Sequence, residues 1–283
     1  MCPLSDSDDR PDVVLVHGVG VGPESFAATR AALSAAGRRV HGVVRPGYGR
    51  GEHAMDLEAQ VDLVLGGVDL VIEGIDHPID DVDLHRSSTG NRRPAAWVGV
   101  SGGATLGVIA ATRRPAGIAV AVLHEPLVGS AAPELHAMIR RGADRLATAP
   151  HDGQDDVDGL FDADGLFDAD GLRDRALEYM TGLVGPDGWR MLGPEGRAAV
   201  EARSALIACE VPRFARFEPR PVPPDGAVRV VITVGERSPA VRHDAARRAA
   251  ELLHGSVHVI PGVGHLPQVE APTEVAEIIE ALT

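Results

Sequence analysis

The stretch Trp97-Val98-Gly99-Val100-Ser101-Gly102-Gly103-Ala104 limits what this chain can fold into more than any other. It reads as a short buried strand, a turn packed with glycines and the first turn of a helix. Gly99-Val100-Ser101-Gly102-Gly103 fits the pattern G-x-S-x-G, in which a strained strand-to-helix turn holds a serine out in the open. So sharp a turn brings neighbouring backbones too close for a Cβ on either side of the serine, which is why glycines flank it. The residues from Thr105 to Thr112 carry an apolar helix whose N-terminal dipole sits beneath Ser101. With 33 glycines in the chain the bare pattern arises easily by accident, so its surroundings decide its weight.

Those surroundings alternate between strand and helix. Val13 to Val16 is an aliphatic run of the kind found in strands buried on both faces, and it ends in His17-Gly18-Val19-Gly20. Residues 24–36 read as a helix and 39–44 as a second strand. A helix over about 55–75 has Val61, Leu65 and Val68 at helical spacing, and 77–94 is a polar surface loop. A further strand over 118–123 ends at His124-Glu125-Pro126, and there the alternation stops. Three helical stretches follow, at roughly 131–147, 173–183 and 194–210, separated by Gly- and Pro-rich breaks. The alternation resumes with a strand at 228–234, a helix at 239–253, a strand at 257–260 and a closing helix at 273–282.

This order predicts an α/β fold: a mostly parallel, doubly wound sheet of about six strands with helices on both faces. Residues 1–126 and 225–283 form its core, and 127–224 form a helical cap inserted after the strand ending at Glu125. Functional groups then belong beyond the carboxyl ends of the strands. Within the cap the tandem repeat Asp158-Gly159-Leu160-Phe161-Asp162-Ala163 and Asp164-Gly165-Leu166-Phe167-Asp168-Ala169 marks an acidic loop over 152–172. Its composition is that of a solvated insertion. The alternative is a calcium site on Asp162, Asp164, Asp168 and Asp170, although the late glutamate of a full calcium loop is missing.

Composition narrows the partners. A net charge of −14 argues against nucleic acid and anionic membrane surfaces. No lysine occurs, so all 27 basic residues are arginine and Schiff-base chemistry on lysine is excluded. Cys2 and Cys209 make neither a disulfide framework nor a metal pattern. Residues 1–12 lack the apolar run of a signal peptide, and no stretch reaches the roughly 18 apolar residues of a membrane span. The expectation is a cytoplasmic protein acting on a small molecule.

Four features at strand ends fit one reaction. Ser101 is the candidate nucleophile. His265, in Gly262-Val263-Gly264-His265-Leu266-Pro267 after the last strand, is the candidate general base, because a glycine-bearing loop can bring its imidazole to the serine hydroxyl. His17-Gly18-Val19 follows the first strand, where the N–H of Val19 can join that of Gly102 in stabilising an oxyanion. The alternative reading of His17-Gly18 is a plain strand-ending turn. His124 reads as a pocket wall or packing residue. The histidines show no metal-ligand spacing, and no G-x-G-x-x-G opens a helix after the first strand, so no metal or cofactor is implied.

The order His17-Gly18, Ser101, His265 on alternating βα units resembles the α/β-hydrolase fold family, over about Val13 to Leu282. Many members of that family carry an aspartate three residues after a glycine that ends the penultimate strand. Here Gly235-Glu236-Arg237-Ser238 puts Ser238 in that place, and a serine supplies no negative charge. A variant within the family takes its acid from the end of the strand that follows the serine-bearing turn and its helix, where Glu125 stands. Glu236 is the alternative acid, and a serine–histidine dyad or a carboxylate from the cap are others. The resemblance implies a cofactor-independent serine hydrolase of a carboxylic ester, lactone or thioester, working through an acyl-enzyme. Two other activities fit the same resemblance: a cofactor-free perhydrolase or haloperoxidase-like enzyme, and a non-catalytic ligand-binding relative. The substrate pocket is expected at His17, Gly18, His124 and Trp189, with Met180 and Met191 as further apolar lining and few aromatic rings.

Overall fold

A computed structural model of the chain describes residues 10–48, 56–62, 64, 94–113, 117–147, 169–220 and 228–283. Its six strands are β1 (Val13–Val16), β2 (Val40–Val43), β3 (Ala95–Val100), β4 (Ile118–His124), β5 (Arg229–Gly235) and β6 (Ser256–Ile260). They pair in parallel in one sheet, in the order β2-β1-β3-β4-β5-β6. Every residue of β1 and β3 is buried, as their uninterrupted apolar runs require. The edge strands β2 and β6 mix polar with apolar residues and are more exposed.

Parallel neighbours need crossovers, and helices supply them on both faces. They are α1 (Ala27–Ala35), α2 (Gly102–Arg113), α3 (Pro133–Ala147), α4 (Ala169–Met191), α5 (Gly193–Ala202), α6 (Ser204–Ala215), α7 (Ala240–Leu252), α8 (Pro267–Glu270) and α9 (Pro272–Leu282). Residues 57–62 are also helical. Alternate strand residues face opposite ways, so the sheet separates two apolar cores. On one face Val13, Leu15, Val98, Val100 and Val122 pack with Leu33 of α1 and Val275 and Ile279 of α9. On the other, Val14, Val16, Trp97 and Leu123 pack with Leu106 and Ile109 of α2 and Ala245 and Ala249 of α7. Among the described residues no helix is long and apolar enough to cross a membrane.

The chain leaves β1 for β2 on one side and returns for β3 on the other. The connections from β1 and β3 therefore diverge, opening the crevice where ligands of such sheets bind. The turns carrying Gly18 and Ser101 stand at this point.

Helices α3 to α6 lie between β4 and β5. The stretch expected over 173–183 is longer, because the helix resumes beyond a break at Gly185 (φ 74°) and Pro186, a residue at ease in a first helical turn. The stretch expected over 194–210 is two helices, split at Arg203. The short α8 starts at Pro267, which the sequence reading places in the loop of His265. Residues 169–172, expected at the end of the acidic loop, open α4 instead. The rest of that loop, residues 77–93 and most of the helix over 55–75 lie outside the described residues.

The inserted helices share a core with the sheet. Leu135, Ile139, Met180, Ile207, Val211 and Phe214 belong to the apolar cluster that contains Leu106 and Trp97. A buried polar knot adds to this. Arg45 pairs with Glu210 of α6, both fully buried, and Gln60 bonds to both. Tyr48 donates its hydroxyl to Glu210 Oε2 at 2.7 Å and accepts the N–H of Gly20 at 2.8 Å. The inserted helices are thereby tied to the loop after β1.

Removing one partner of a buried ion pair leaves the other charged and unsolvated. Glu210→Ala is expected to cost about 3–5 kcal/mol of stability, read by urea unfolding at neutral pH. A loss under about 1 kcal/mol would mean that Arg45 reaches water or another anion.

Candidate active site

The turn at Ser101 is as tight as its glycines suggest. A Cβ on Gly99 would lie 2.4 Å from the carbonyl oxygen of Gly103, and one on Gly103 would lie 2.1 Å from that of Val16. Ser101 itself sits at φ 53°, the left-handed region that L-residues avoid, and its N–H donates to the carbonyl of His124 at 2.8 Å. This holds the side chain partly exposed at the carboxyl edge of the sheet. Gly18 lies against it, since a Cβ there would come within 3.2 Å of Ser101 Cβ. Gly102 opens α2, so its N–H has no acceptor within the helix. Val19, whose N–H has no backbone acceptor among the described residues, packs its side chain beside Gly102.

One strand along, Glu125 directly follows β4, at φ 51°. The register pairs Val100 with His124 and His124 with Thr233, so Glu125 stands level with Ser101 and with the end of β5. Its carboxylate is buried and crowded with donors. Oε2 lies 2.6 Å from His265 Nδ1 and 3.0 Å from Nη1 of Arg242 on α7. Oε1 accepts the N–H of Gly235 at 3.2 Å and the hydroxyl of Ser238. The serine in the family's usual acid position thus donates to a carboxylate reached from another strand. Glu236 is exposed and accepts the N–H of Gly262 at 2.8 Å, away from His265.

The loop that carries His265 is gripped by Glu270 of α8, which takes the N–H of Gly264 at 2.8 Å and of Leu266 at 3.1 Å. These bonds clamp the backbone on both sides of the imidazole. No hydrogen bond joins His265 to the Ser101 hydroxyl in this structure. Such bonds often tighten only when substrate is bound. Sequence reading missed Glu270 and Arg242. A proline followed one turn later by a glutamate is the one local trace of the first. The second is one of 27 arginines with nothing local to set it apart.

The other two histidines at strand ends, His124 and His17, are committed internally. His124 Nε2 donates to the Gly264 carbonyl at 3.2 Å, and Nδ1 accepts from Thr233 Oγ1 at 3.0 Å. Burial outweighs the pull of Glu125 and brings His124 down to about 4. His17 donates from Nδ1 to the Gly18 carbonyl at 2.9 Å, while Nε2 accepts the N–H of Arg45 at 3.3 Å. Burial, then Arg45, holds His17 neutral, so it braces the loop after β1 from beneath. Burial and the Arg242 charge also lower His265, against the opposing pull of Glu125. Burial raises the Glu125 carboxyl, but Arg242, His124 and His265 outweigh it and keep the carboxylate ionised. Ligand atoms of His124, Glu125 and His265 lie within 4.8 Å of one another. They do not suit a cation, because the Arg242 guanidinium already supplies the positive charge there.

Ser101, Val19, Gly102 and Arg242 enclose a cavity of about 20 Å³ with side chains of the inserted helices, among them Tyr179, Leu183 and Phe214. Met180 is buried against Gly20, whereas Met191 is exposed. Trp189 packs half-buried against the main apolar cluster and does not border this cavity.

A family model described as the Alpha/beta hydrolase family matches residues 13–278. No curated protein matches the sequence. Among solved structures, the chain is similar to the enol-lactonase from Burkholderia xenovorans, with a TM-score of 0.66 and 18% identity over 96% of this chain and 90% of that one. It is also similar to MenH from S. aureus, with a TM-score of 0.63 and 14% identity over 98% and 94%. A thermophilic esterase from Thermogutta terrifontis gives 0.62 and 18% over 96% and 89%. At these identities the likeness is one of fold.

The three neutral histidines make stability depend on acid. Below the ordinary histidine value of 6.5 the unfolded chain takes up protons that the folded chain refuses, so stability falls as pH falls. His124 alone contributes a loss on the order of 3 kcal/mol between pH 6.5 and 4. Glu125 adds a loss of the same sign below its unfolded value of 4.5. Urea unfolding from about pH 8 down to about pH 4.5 should show this decline, and a flat profile would contradict it.

Proposed function

The chain belongs to the alpha/beta hydrolase family, and on that premise we propose that it is a serine hydrolase cleaving a carboxylic ester, lactone or thioester of a small molecule through an acyl-enzyme. The observation that carries this reading is the 2.6 Å contact between Glu125 Oε2 and His265 Nδ1. A carboxylate at Nδ1 fixes the proton there and leaves Nε2 free to accept one.

Ser101 Oγ attacks the acyl carbon as Nε2 of His265 takes the hydroxyl proton. The tetrahedral oxyanion receives the N–H groups of Val19 and Gly102, each worth about 3–4 kcal/mol by analogy with measured donors. Collapse expels the alcohol or thiol, which takes the proton back from His265. Water, deprotonated by the same nitrogen, then attacks the acyl-enzyme, releases the carboxylic acid and restores the serine.

Burial tempers the base first, and Arg242 second. Arg242 shares Oε2 of Glu125 with His265, so the imidazolium is less stabilised than it would be opposite a carboxylate of its own. His265 therefore stays unprotonated at lower pH, at some loss of basicity. The inserted helices act as a cap. A cavity of about 20 Å³ holds a water molecule and no acyl group, so substrate enters by displacing side chains such as Leu183 and Phe214. The lactonase and esterase among the similar structures suit this chemistry and leave the substrate open.

A fluorophosphonate probe is expected to label Ser101, and Ser101→Ala to abolish both labelling and turnover of short nitrophenyl esters. Glu125→Gln should lower kcat roughly 10³–10⁴-fold with the fold intact by circular dichroism, while Glu236→Gln leaves kcat within about twofold. Absence of labelling and turnover, or an unaffected Glu125→Gln enzyme, refutes the proposal.

A further inference from the structure

Arg242 has more donors than the site uses. Its side chain is 3% exposed and Nη1 faces the Glu125 carboxylate at 3.0 Å. Its Nη2 is buried and has no hydrogen-bond partner. The same residue borders the cavity shared by Ser101, Val19 and Gly102, whose other walls include Leu127, Val211 and Phe214. The anion nearest to it, Glu125, is already engaged by His265, Ser238 and the N–H of Gly235. The two nearby imidazoles, His124 and His265, are neutral and supply no negative charge. A buried guanidinium with an unused N–H beside a candidate nucleophile is costly unless something else completes it.

We propose that a substrate oxygen completes it: the substrate carries an anionic group of the carboxylate class, which accepts a hydrogen bond from Arg242 Nη2 within the Ser101 cavity. This rests on the hydrolase reading for the identity of the reaction, while the anion site itself stands on Arg242 alone. Arg242 then has two tasks divided between its nitrogens. Nη1 keeps the Glu125 carboxylate ionised and oriented, and Nη2 selects acid-bearing esters, lactones or thioesters over neutral ones. A guanidinium suits this because its planar fork presents several N–H groups at once, which a lysine ammonium in the same place would not. Ser101 and Tyr179 bring hydroxyls to the cavity and its other lining side chains are apolar, so Arg242 is the one charged side chain that a bound carboxylate meets there.

The test compares monomethyl glutarate, a carboxylate, with dimethyl glutarate, its neutral counterpart. Ser101→Ala protein is used for calorimetric binding, so that turnover cannot obscure affinity. The carboxylate is expected to bind at least about tenfold more tightly than the diester, the scale of one charge-assisted hydrogen bond. Arg242→Gln in the same background should erase that preference. Because Arg242→Gln leaves Glu125 buried without its cation, Arg242→Lys is measured beside it, with folding followed by circular dichroism. It keeps a charge facing Glu125, lacks the second nitrogen and should also lose most of the preference. Binding of the carboxylate no tighter than the diester, including no detectable binding of either, overturns the proposal. So does a preference that survives in Arg242→Lys. Turnover of the two esters by the unsubstituted protein separates the readings: tight carboxylate binding without any hydrolysis refutes the hydrolase and leaves the anion site standing, whereas hydrolysis without preference does the reverse.

Discussion

The carboxylate of Glu125 takes bonds from the end of β5, the turn after it, helix α7 and the loop after β6, and it does so from a residue whose own backbone is strained. Gly235 and Ser238 meet one oxygen, and Arg242 and His265 meet the other. Holding a non-glycine residue at φ 51° costs roughly 1–2 kcal/mol. The left-handed turn is affordable only because four donors converge on the side chain. Take that carboxylate away, and the strand ends of β4, β5 and β6 lose the group that holds their loops in one place.

Its ionised state follows from the same crowding. Burial alone would favour the protonated acid, but a guanidinium at 3.0 Å and several hydrogen bonds reverse the preference. The neighbouring imidazoles feel burial without an undivided anion of their own, and they remain neutral. At the centre of the candidate site the buried Glu125 carboxylate is matched to the buried Arg242 guanidinium with neutral imidazoles beside them, while Glu270, which clamps the His265 loop, pairs with the exposed Arg237. The inserted helices close over it through shared apolar packing and through the Arg45–Glu210 pair, which reaches the loop beside Ser101 by way of Tyr48.

Much of the architecture was legible from local patterns. Central parallel strands are buried on both faces, so β1 and β3 appear as uninterrupted apolar runs, and β4 and β5 are apolar apart from His124, Thr233 and the exposed Arg229. Ser101 was legible for the same kind of reason, because only glycine tolerates the approach of Gly99 and Gly103 to neighbouring carbonyls. The helices between β4 and β5 were harder. Gly185-Pro186 looks like a terminator in sequence, yet the chain passes through it and continues as helix. Which carboxylate meets His265 was harder still, since Glu125 and Glu236 both follow a strand.

Sequence alone determined the alternation of strand and helix, the parallel sheet and the exposed serine, because each of these depends on residues close together in the chain. Tertiary structure decided the rest. Strand register and a left-handed turn send Glu125 inward, whereas Glu236, one residue past the end of β5, faces solvent. Arg242 and Glu270 acquire their places only when α7 and α8 pack beside the loop of His265. Coulombic and hydrogen-bonding partners that lie far apart in the chain leave no local pattern, since their contact depends on distance in space and on nothing in the spacing of the residues.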